Sequence, residues 1–266
     1  MQPTSWVLHA RDGQKWFALP EEAVAEGLIG VQSTRFGGVS GPPYDTLNLG
    51  QSVGDAEEIV RTNRERFFRA VGVDPSRIAF LEQVHGAKIV VASEPGPQGE
   101  GDGLLTAERG LFLSLSVADC PAVFLIDRRQ GLLGLVHAGW RGTCARIVRQ
   151  AIDLMGREFG ANPSDFAVGF GAAIWPCCYA VDESVRDAFA REGWRWETIA
   201  RQRWDGEWDL DLELANRLLL EEAGVEARSI VPSPACTGCR DDLLFSHRRS
   251  GGKTGRMLAV LGWRDE

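Results

Sequence analysis

The chain has 266 residues, of which 44% are hydrophobic, and a formal net charge of −8 that is not concentrated in long runs of one sign. A chain of this length and composition can bury a full core, as one large domain or two closely fused halves, which excludes a disordered protein. The acidic balance argues against a nucleic-acid partner, because such partners are bound through concentrated basic surface.

Membrane and export signals are absent from the pattern of apolar residues. No segment is apolar over the length that a membrane-spanning helix needs, and residues 1–16 lack the basic and apolar regions of a secretory signal. The sequence therefore predicts a cytoplasmic protein with no membrane partner. Six cysteines are too few and too unevenly placed for a disulfide scaffold, so we expect buried thiols, metal ligands or nucleophiles.

Short apolar runs predict strands, and helical periodicity predicts helices between some of them. In chain order we predict a helix over 56–71 with Asp55 as its N-cap, strands over 78–81 and 88–92, a Gly- and Pro-rich loop over 94–103, strands over 111–117, 123–126 and 132–136, a helix over 144–159, a strand over 166–170, helices over 183–192 and 212–223, and a strand over 257–261. This order predicts a single α+β domain spanning residues 1–266, with mixed β-sheets packed together and flanking helices.

The predicted hairpin within residues 111–143 carries a metal-binding type of side chain near one end of each strand. If residues 128–131 form a four-residue turn, His137 faces Ala122 across the hairpin. In the same register Cys120 faces Gly139, whose lack of a side chain leaves room for a ligand. Cys120 and His137 then share a face, about 7–8 Å apart, within joint reach of one metal ion. A turn one residue longer or shorter would put them on opposite faces.

His85 lies in the segment 83–86 (QVHG), at a tight connection between two predicted strands. The chain has only four histidines, and His85 and His137 both lie near glycine at the end of an apolar run, where a side chain can enter a cleft. With Cys120 they form a His₂Cys set that leaves a fourth position open, as in catalytic zinc sites. Without a metal the same residues would act as a thiol nucleophile with a histidine base, and spacing alone leaves both interpretations open.

Two other cysteine pairs occur in the chain. Cys236-Thr-Gly-Cys239 could form half of a zinc knuckle. The other close pair, Cys177-Cys178, is adjacent and lacks the two-residue gap that lets two thiolates reach one metal. The sequence therefore favours buried thiols near the cleft over a structural zinc site.

Several segments together form a distinctive pattern in the order in which they occur. They are 33–40 (STRFGGVS), 44–50 (YDTLNLG), 53–55 (VGD), 63–64 (NR), 83–86 (QVHG), 102–103 (DG) with Thr106, 118–121 (ADCP), 137–142 (HAGWRG), 176–179 (PCCY), 236–239 (CTGC) and 245–249 (FSHRR) with 254–256 (TGR). This pattern resembles the bacterial laccase-domain proteins, also called multicopper polyphenol oxidase-like proteins, which are related to purine nucleoside phosphorylases with adenosine deaminase activity.

The resemblance implies that His85, Cys120 and His137 are the zinc ligands and the catalytic cluster. It implies a purine nucleoside and phosphate as small-molecule partners, with phosphorolysis of adenosine, inosine and methylthioadenosine and deamination of adenosine. The alternatives are an amide hydrolase that removes mis-incorporated residues from peptidoglycan precursors and a copper-dependent polyphenol oxidase, with copper in place of zinc. A multicopper oxidase needs many imidazoles, which four histidines do not furnish.

Phosphorolysis needs cations that hold phosphate and stabilise charge, and Gly-rich loops offer polar side chains to a ligand. The predicted substrate-binding residues are Arg35, Asn48, Arg141 and Arg248. Other zinc deaminases transfer protons through a carboxylate, and the carboxylates nearest in sequence are Asp102 and Asp119. The chain departs from the family pattern at Ser52, where many members carry His.

Overall fold

Two large β-sheets pack against each other across a shared apolar core in the structure, a computed structural model that describes residues 5–20 and 26–264. The first sheet contains, in spatial order, β1 (Val7–Arg11), β2 (Gln14–Ala18), β3 (Leu28–Ser33), β16 (Met257–Trp263), β8 (Phe112–Val117), β4 (Ile78–Glu82) and β6 (Gly96–Glu100). The second contains β15 (Ile230–Val231), β11 (Phe166–Phe170), β9 (Ala122–Asp127), β10 (Leu133–His137), β7 (Gly103–Thr106) and β5 (Ile89–Val91).

Six helices and a small third sheet complete the described part of the chain. The helices are α1 (Glu57–Val71), α2 (Trp140–Cys144), α3 (Ile147–Phe159), α4 (Glu183–Arg191), α5 (Trp196–Ile199) and α6 (Leu212–Ala223). The third sheet has the order β12 (Ala180–Val181), β14 (Trp208–Leu210) and β13 (Ala200–Gln202). None of the helices within the described residues combines the length and apolarity that crossing a bilayer requires.

The central strands are buried on both faces because each large sheet lies between a helix layer and the other sheet. In β16, Met257 and Ala259 point into the core between the sheets, whereas Leu258 and Val260 pack with α1. The strand β9 divides in the same way, with alternate residues facing the shared core and the helices α3 and α6. Strands covered on both faces read as continuous apolar runs, which is why the sequence revealed them.

Both large sheets mix parallel and antiparallel pairs: β4 runs parallel to β8 and β6, and β11 runs parallel to β15. The predicted α+β fold with packed mixed sheets and flanking helices is therefore confirmed. Each predicted strand and helix corresponds to an observed one, and their bounds agree within a few residues at each end.

Two local predictions were wrong. The predicted loop over 94–103 contains the edge strand β6, where pairing on one side only tolerates Pro97. The N-cap of α1 is Ala56, because the Asp55 carboxylate instead accepts hydrogen bonds from Ser40 Oγ and Asn48 Nδ2. The predicted helix over 144–159 is α3, which begins at Ile147 after Arg146, whose φ is +60°. The short helix α2 before it was not predicted. The strands β1 to β3, β7 and β12 to β15 and the helix α5 were not predicted.

Candidate active site

The three predicted ligands meet where the chain passes from one large sheet to the other. His85 lies on the connection from β4 to β5, and Cys120 lies on the connection from β8 to β9. His137 is the last residue of β10. One potential ligand atom from each residue lies within 4.8 Å of the other two, and the two imidazole rings meet edge to face with centroids 4.9 Å apart. The predicted cluster is therefore brought together by the fold.

The predicted hairpin register is confirmed. β9 pairs with β10 so that His137 lies opposite Ala122, and residues 128–131 form the turn. Gly139 lies against the cluster, since a Cβ built on it would be 3.1 Å from Cys120 Sγ and 3.5 Å from His85 Cδ2. A side chain at position 139 would therefore press on Cys120 Sγ, and glycine leaves room beside the cluster.

Asp102 contacts the ring of His137 and the backbone of His85. Its Oδ1 lies 2.8 Å from His137 Nδ1 in a buried contact, so Nε2 is the nitrogen left for a metal ion or for Cys120. The same carboxylate accepts hydrogen bonds from the backbone N–H groups of His85, at 3.0 Å, and Gly86, at 2.6 Å. Burial tends to raise the pKa of Asp102, but the hydrogen bonds from His137 and Gly86 hold it below its usual value. A carboxylate behind a ligating histidine is the arrangement typical of zinc sites.

Cys120 and His137 shift each other's ionisation. Burial disfavours charge on both, yet attraction to His137 and hydrogen bonds with both histidines lower the pKa of the Cys120 thiol to about 6. Burial likewise opposes protonation of His137, but Cys120 and Asp102 raise its pKa to about 9. These interactions favour the thiolate form of Cys120, which is the form that serves as a metal donor.

The donor set fits a single zinc ion, because a thiolate and two imidazoles leave one open position. It does not fit a multicopper centre. Of the other two histidines, His9 stacks on Trp16, and His247 lies near Arg256. Among the described residues, only two imidazoles thus belong to the cluster, which is too few for several copper ions.

Asp119 braces the loop that carries Cys120. Its backbone has a φ of +97°, and its carbonyl accepts a hydrogen bond from Ile174 N. One carboxylate oxygen accepts from Thr237 Oγ1 at 2.5 Å and the other from Arg248 N at 2.7 Å. Because both oxygens are engaged, the geometry favours a positioning role over proton transfer.

Arg35 is held by other loops of the protein. Its Nη2 lies 2.9 Å from Asp45 Oδ2, its Nη1 donates to the carbonyl of Asp241 at 2.7 Å, and its guanidinium lies over the Phe245 ring. These contacts tie the segments around residues 45 and 241 together.

Asn48 is fully buried, and its amide is used within the protein. Its Oδ1 accepts hydrogen bonds from Gly50 N and Arg256 N, and its Nδ2 donates to Asp55. Asn48 therefore acts on the site indirectly, by positioning Arg256.

Arg141 and Arg248 are exposed and lie near one another around Tyr179. The Arg141 guanidinium lies over the Trp140 ring, and that of Arg248 lies over the Tyr179 ring, 4.9 Å from its centroid. Burial raises the pKa of Tyr179, the Cys120 thiolate raises it further, and the two arginines oppose the shift. Tyr179 thus keeps its proton beside the cluster. Its individual role was missed by the sequence analysis, although it lies in the PCCY segment of the resemblance.

A cavity of about 550 Å³ adjoins His85. The sequence predicted a cleft at the cluster but not the residues that line it. Two arginines line it, Arg64 and Arg256, together with Gln83 and Ser52. Burial lowers the pKa of Arg64 to about 10 and that of Arg256 below its usual value, while Asp119 and Cys120 act to raise the latter. Both side chains remain cationic at neutral pH. They lie far from His85 in sequence, so only their segments in the resemblance pointed to them.

The chain is similar to known proteins over most of its length. The family described as multi-copper polyphenol oxidoreductase laccase matches residues 30–264. A relative named purine nucleoside phosphorylase YlmD, from Geobacillus stearothermophilus, is 40% identical over 255 residues, which cover 90% of this chain and 92% of that protein. A purine nucleoside phosphorylase of Deinococcus radiodurans is 39% identical over 230 residues, which cover 86% of this chain and 87% of that protein.

Two solved structures share the fold over their full length. The crystal structure of YlmD from Geobacillus stearothermophilus has a TM-score of 0.91 at 38% identity, covering 99% of this chain and 100% of that chain. The crystal structure of the Bacillus licheniformis hypothetical protein YfiH has a TM-score of 0.90 at 33% identity, covering 97% and 99%. From the match over residues 30–264 and these relatives, the chain belongs to the family described as multi-copper polyphenol oxidoreductase laccase.

Proposed function

We propose that the protein is a purine nucleoside phosphorylase with His85, Cys120 and His137 as its catalytic cluster. The observation that carries this proposal is the cavity that joins His85 to two arginines, Arg64 and Arg256. Its volume of about 550 Å³ lies in the range of small-molecule sites. The names of the relatives from Geobacillus stearothermophilus and Deinococcus radiodurans support the same reaction.

Phosphorolysis sets the requirements for the site. An oxygen of phosphate bonds to C1′ of the ribose as the bond from C1′ to the purine nitrogen breaks, and the purine leaves with the electron pair and takes up a proton. Phosphate must therefore be held against the ribose, and negative charge must be stabilised. Arg64 and Arg256 supply two cations on the cavity wall for phosphate.

Arg141 and Arg248 are proposed as further substrate-binding residues, because both guanidinium groups are exposed and lie beside Tyr179 near Cys120. Arg35 and Asn48 support substrate binding indirectly, through the loops and the Arg256 backbone that they hold.

His85, Cys120 and His137 are proposed to hold one zinc ion, with copper as the alternative ion for the same donors. When bound, zinc supplies Lewis acidity at this point of the site. Asp102 keeps the proton on His137 Nδ1 and so directs Nε2 towards the ion. Cys120 serves as a thiolate donor.

Adenosine deamination is a second proposed activity of the same cavity. Zinc deaminases need a carboxylate that moves protons. Asp102 and Asp119 are both engaged in hydrogen bonds, whereas the exposed Glu82 lines the cavity. We expect Glu82→Gln to abolish ammonia release from adenosine while phosphorolysis of inosine continues. The exposed Glu100→Gln serves as its control.

The amide-hydrolase alternative would require a cleft wide enough for a peptidoglycan precursor, and the cavity volume favours a nucleoside with phosphate instead. Polyphenol oxidation by several coppers is disfavoured by the two imidazoles of the cluster. We place the enzyme in the cytoplasm, because its six cysteines are too few and too unevenly placed for the disulfide scaffold of an exported protein.

The test is phosphate-dependent turnover of adenosine, inosine and methylthioadenosine, followed by chromatography on protein of known metal content. We expect free base and ribose 1-phosphate, with the rate lowered at least about 100-fold in Cys120→Ala. Cys144→Ala is the matched control, because Cys144 is buried outside the cluster. Absence of nucleoside turnover by metal-loaded protein would contradict the proposal, and release of an amino acid from a peptidoglycan precursor would then favour the amide hydrolase.

A further inference from the structure

Four cysteines form a second cluster, apart from the catalytic one. Cys177 and Cys178 lie in the 3₁₀ turn after β11, and Cys236 and Cys239 lie in the segment between β15 and β16. A parallel β-bridge between Ala173 and Cys236 holds the two segments together. All four sulfur atoms lie within 4.8 Å of one another. The prediction of buried thiols holds for Cys236 but is wrong for Cys177 and Cys239, which are exposed.

Four of the six distances between the sulfur atoms are close to those of a tetrahedral tetrathiolate site. Cys239 Sγ lies 3.5 Å from the sulfurs of both Cys177 and Cys178, and Cys177 Sγ lies 3.8 Å from Cys236 Sγ and 3.9 Å from Cys178 Sγ. Four thiolates around zinc at about 2.3 Å stand about 3.8 Å apart, so the observed separations match such a site. A disulfide would bring two of the sulfurs to about 2.05 Å and leave the others outside the bond.

Backbone groups prepare the cluster for negative charge. The N–H of Trp175 donates to Cys236 Sγ at 3.4 Å, and the N–H groups of Gly238 and Cys239 point to the same sulfur. Gly238 also lets the two segments approach, since a Cβ there would lie 2.7 Å from Cys178 Cβ. Adjacent cysteines can thus share one ion with a Cys-x-x-Cys pair, because the second pair approaches them from another segment.

We propose that Cys177, Cys178, Cys236 and Cys239 bind one structural zinc ion as a tetrathiolate. Four protein ligands close the coordination sphere, which is typical of structural sites and leaves no position for a substrate. The proposal goes beyond the proposed function, since its ligands are separate from the catalytic cluster.

A zinc ion at the four cysteines would also stabilise the position of residues beside the catalytic cluster. Thr237, between two of the ligands, donates its hydroxyl hydrogen bond to Asp119, which braces the Cys120 loop. Tyr179 directly follows Cys178 and lies beside Cys120. The ion would therefore hold in place two residues that shape one side of the active site.

Metal analysis of purified Cys120→Ala protein tests the proposal, because this variant lacks one donor of the catalytic cluster. We expect one zinc ion per chain to remain and to be lost when Cys239→Ser or Cys178→Ser is added. Adding Cys144→Ser instead should leave the zinc content unchanged. Loading cobalt(II) into the apoprotein should produce intense thiolate-to-cobalt absorption, which Cys239→Ser abolishes.

Thermal unfolding provides a readout that is independent of activity. A chelator should lower the Tm of Cys120→Ala protein by several degrees, roughly 5 °C, and should leave the Cys120→Ala/Cys239→Ser protein unchanged. The proposal is overturned by zinc that survives both cysteine substitutions, by iron in place of zinc, by metal-free thiols, or by disulfides among the four cysteines in unreduced protein. The nucleoside assay tests the other site, so either proposal can fail alone.

Discussion

The catalytic cluster and the four-cysteine cluster both contain thiols, but the pKa values of these thiols shift in opposite directions. Cys120 lies between two histidines, and their proximity lowers the pKa of its thiol to about 6 although burial opposes this. Cys177 lies among other thiols, and burial together with hydrogen bonds to Cys239 and Cys236 raises its pKa to about 11. The first cluster is thus charged and open to a cavity without any ion, whereas the second depends on a bound cation to favour its thiolates. The neighbours, not the cysteine, decide which role a thiol takes.

We expect the largest difference between the two clusters from Asp102→Asn, which should weaken zinc binding at the catalytic cluster only. The amide cannot hold His137 in the required tautomer while accepting three backbone hydrogen bonds, so zinc affinity and turnover should each fall about 100-fold. Chelator competition on the purified variant measures the affinity. The control is Asp127→Asn, a buried carboxylate that binds backbone groups of its own turn. Equal zinc loss in both variants would show that burial, and not the contact to His137, is responsible.

The cavity arginines should produce the next largest effect. Arg256→Met removes a cation from the cavity beside His85 and should raise the KM for phosphate about 30-fold, with a smaller change in the KM for the nucleoside. Initial rates over a range of phosphate concentrations measure it. Arg61→Met is the control, because Arg61 is exposed and pairs with Glu65. An unchanged KM for phosphate in Arg256→Met would move phosphate binding to Arg141 and Arg248.

The second cluster should respond to Gly238→Ala by loss of stability. A Cβ at this position would lie 2.9 Å from Cys178 Sγ, so the two segments must separate, at a cost of about 1–3 kcal/mol in the free energy of unfolding. Urea unfolding of the zinc-loaded protein measures this cost. In Gly41→Ala the added Cβ meets no atom within 4 Å, and we expect little change. Similar stability of the two variants would contradict tight packing of the cluster.

The smallest effect concerns the pH dependence of stability near the second cluster. Burial raises the pKa of Glu213 from 4.5 to about 7, although Ser233 N donates to its carboxylate. A raised carboxyl pKa contributes stability that is complete below pH 4.5 and is lost as the pH rises through about 7. Between pH 5 and pH 8 the wild type should therefore lose about 1–2 kcal/mol more than Glu213→Gln, after allowance for partial exposure.

Urea unfolding at the two pH values measures the difference. Glu222→Gln, an exposed position on the same helix, should follow the wild type. If Glu213→Gln also follows it, another group causes the loss of stability with pH.

The catalytic cluster was largely predictable because its geometry is local. Cys120 and His137 flank one hairpin, and the length of its turn sets which face each side chain occupies. His85 was less certain, since β4 and β5 belong to different sheets. Its position beside glycine at the end of an apolar run suggested the set, and the resemblance implied the same three residues. The partners that tune the site were not predictable in their roles, because Asp102, Arg256 and Tyr179 reach it from separate segments.

The sequence by itself determined the core strands, the main helices, the hairpin register and the three donors, because periodicity and turn length act over a few residues. Only the tertiary structure decided that Asp102 supports both histidines and that Arg64 and Arg256 share a cavity with His85. It also decided that two unlike cysteine pairs meet. These contacts depend on how two sheets pack and how their connections cross, and the spacing of residues along a chain does not encode such distances.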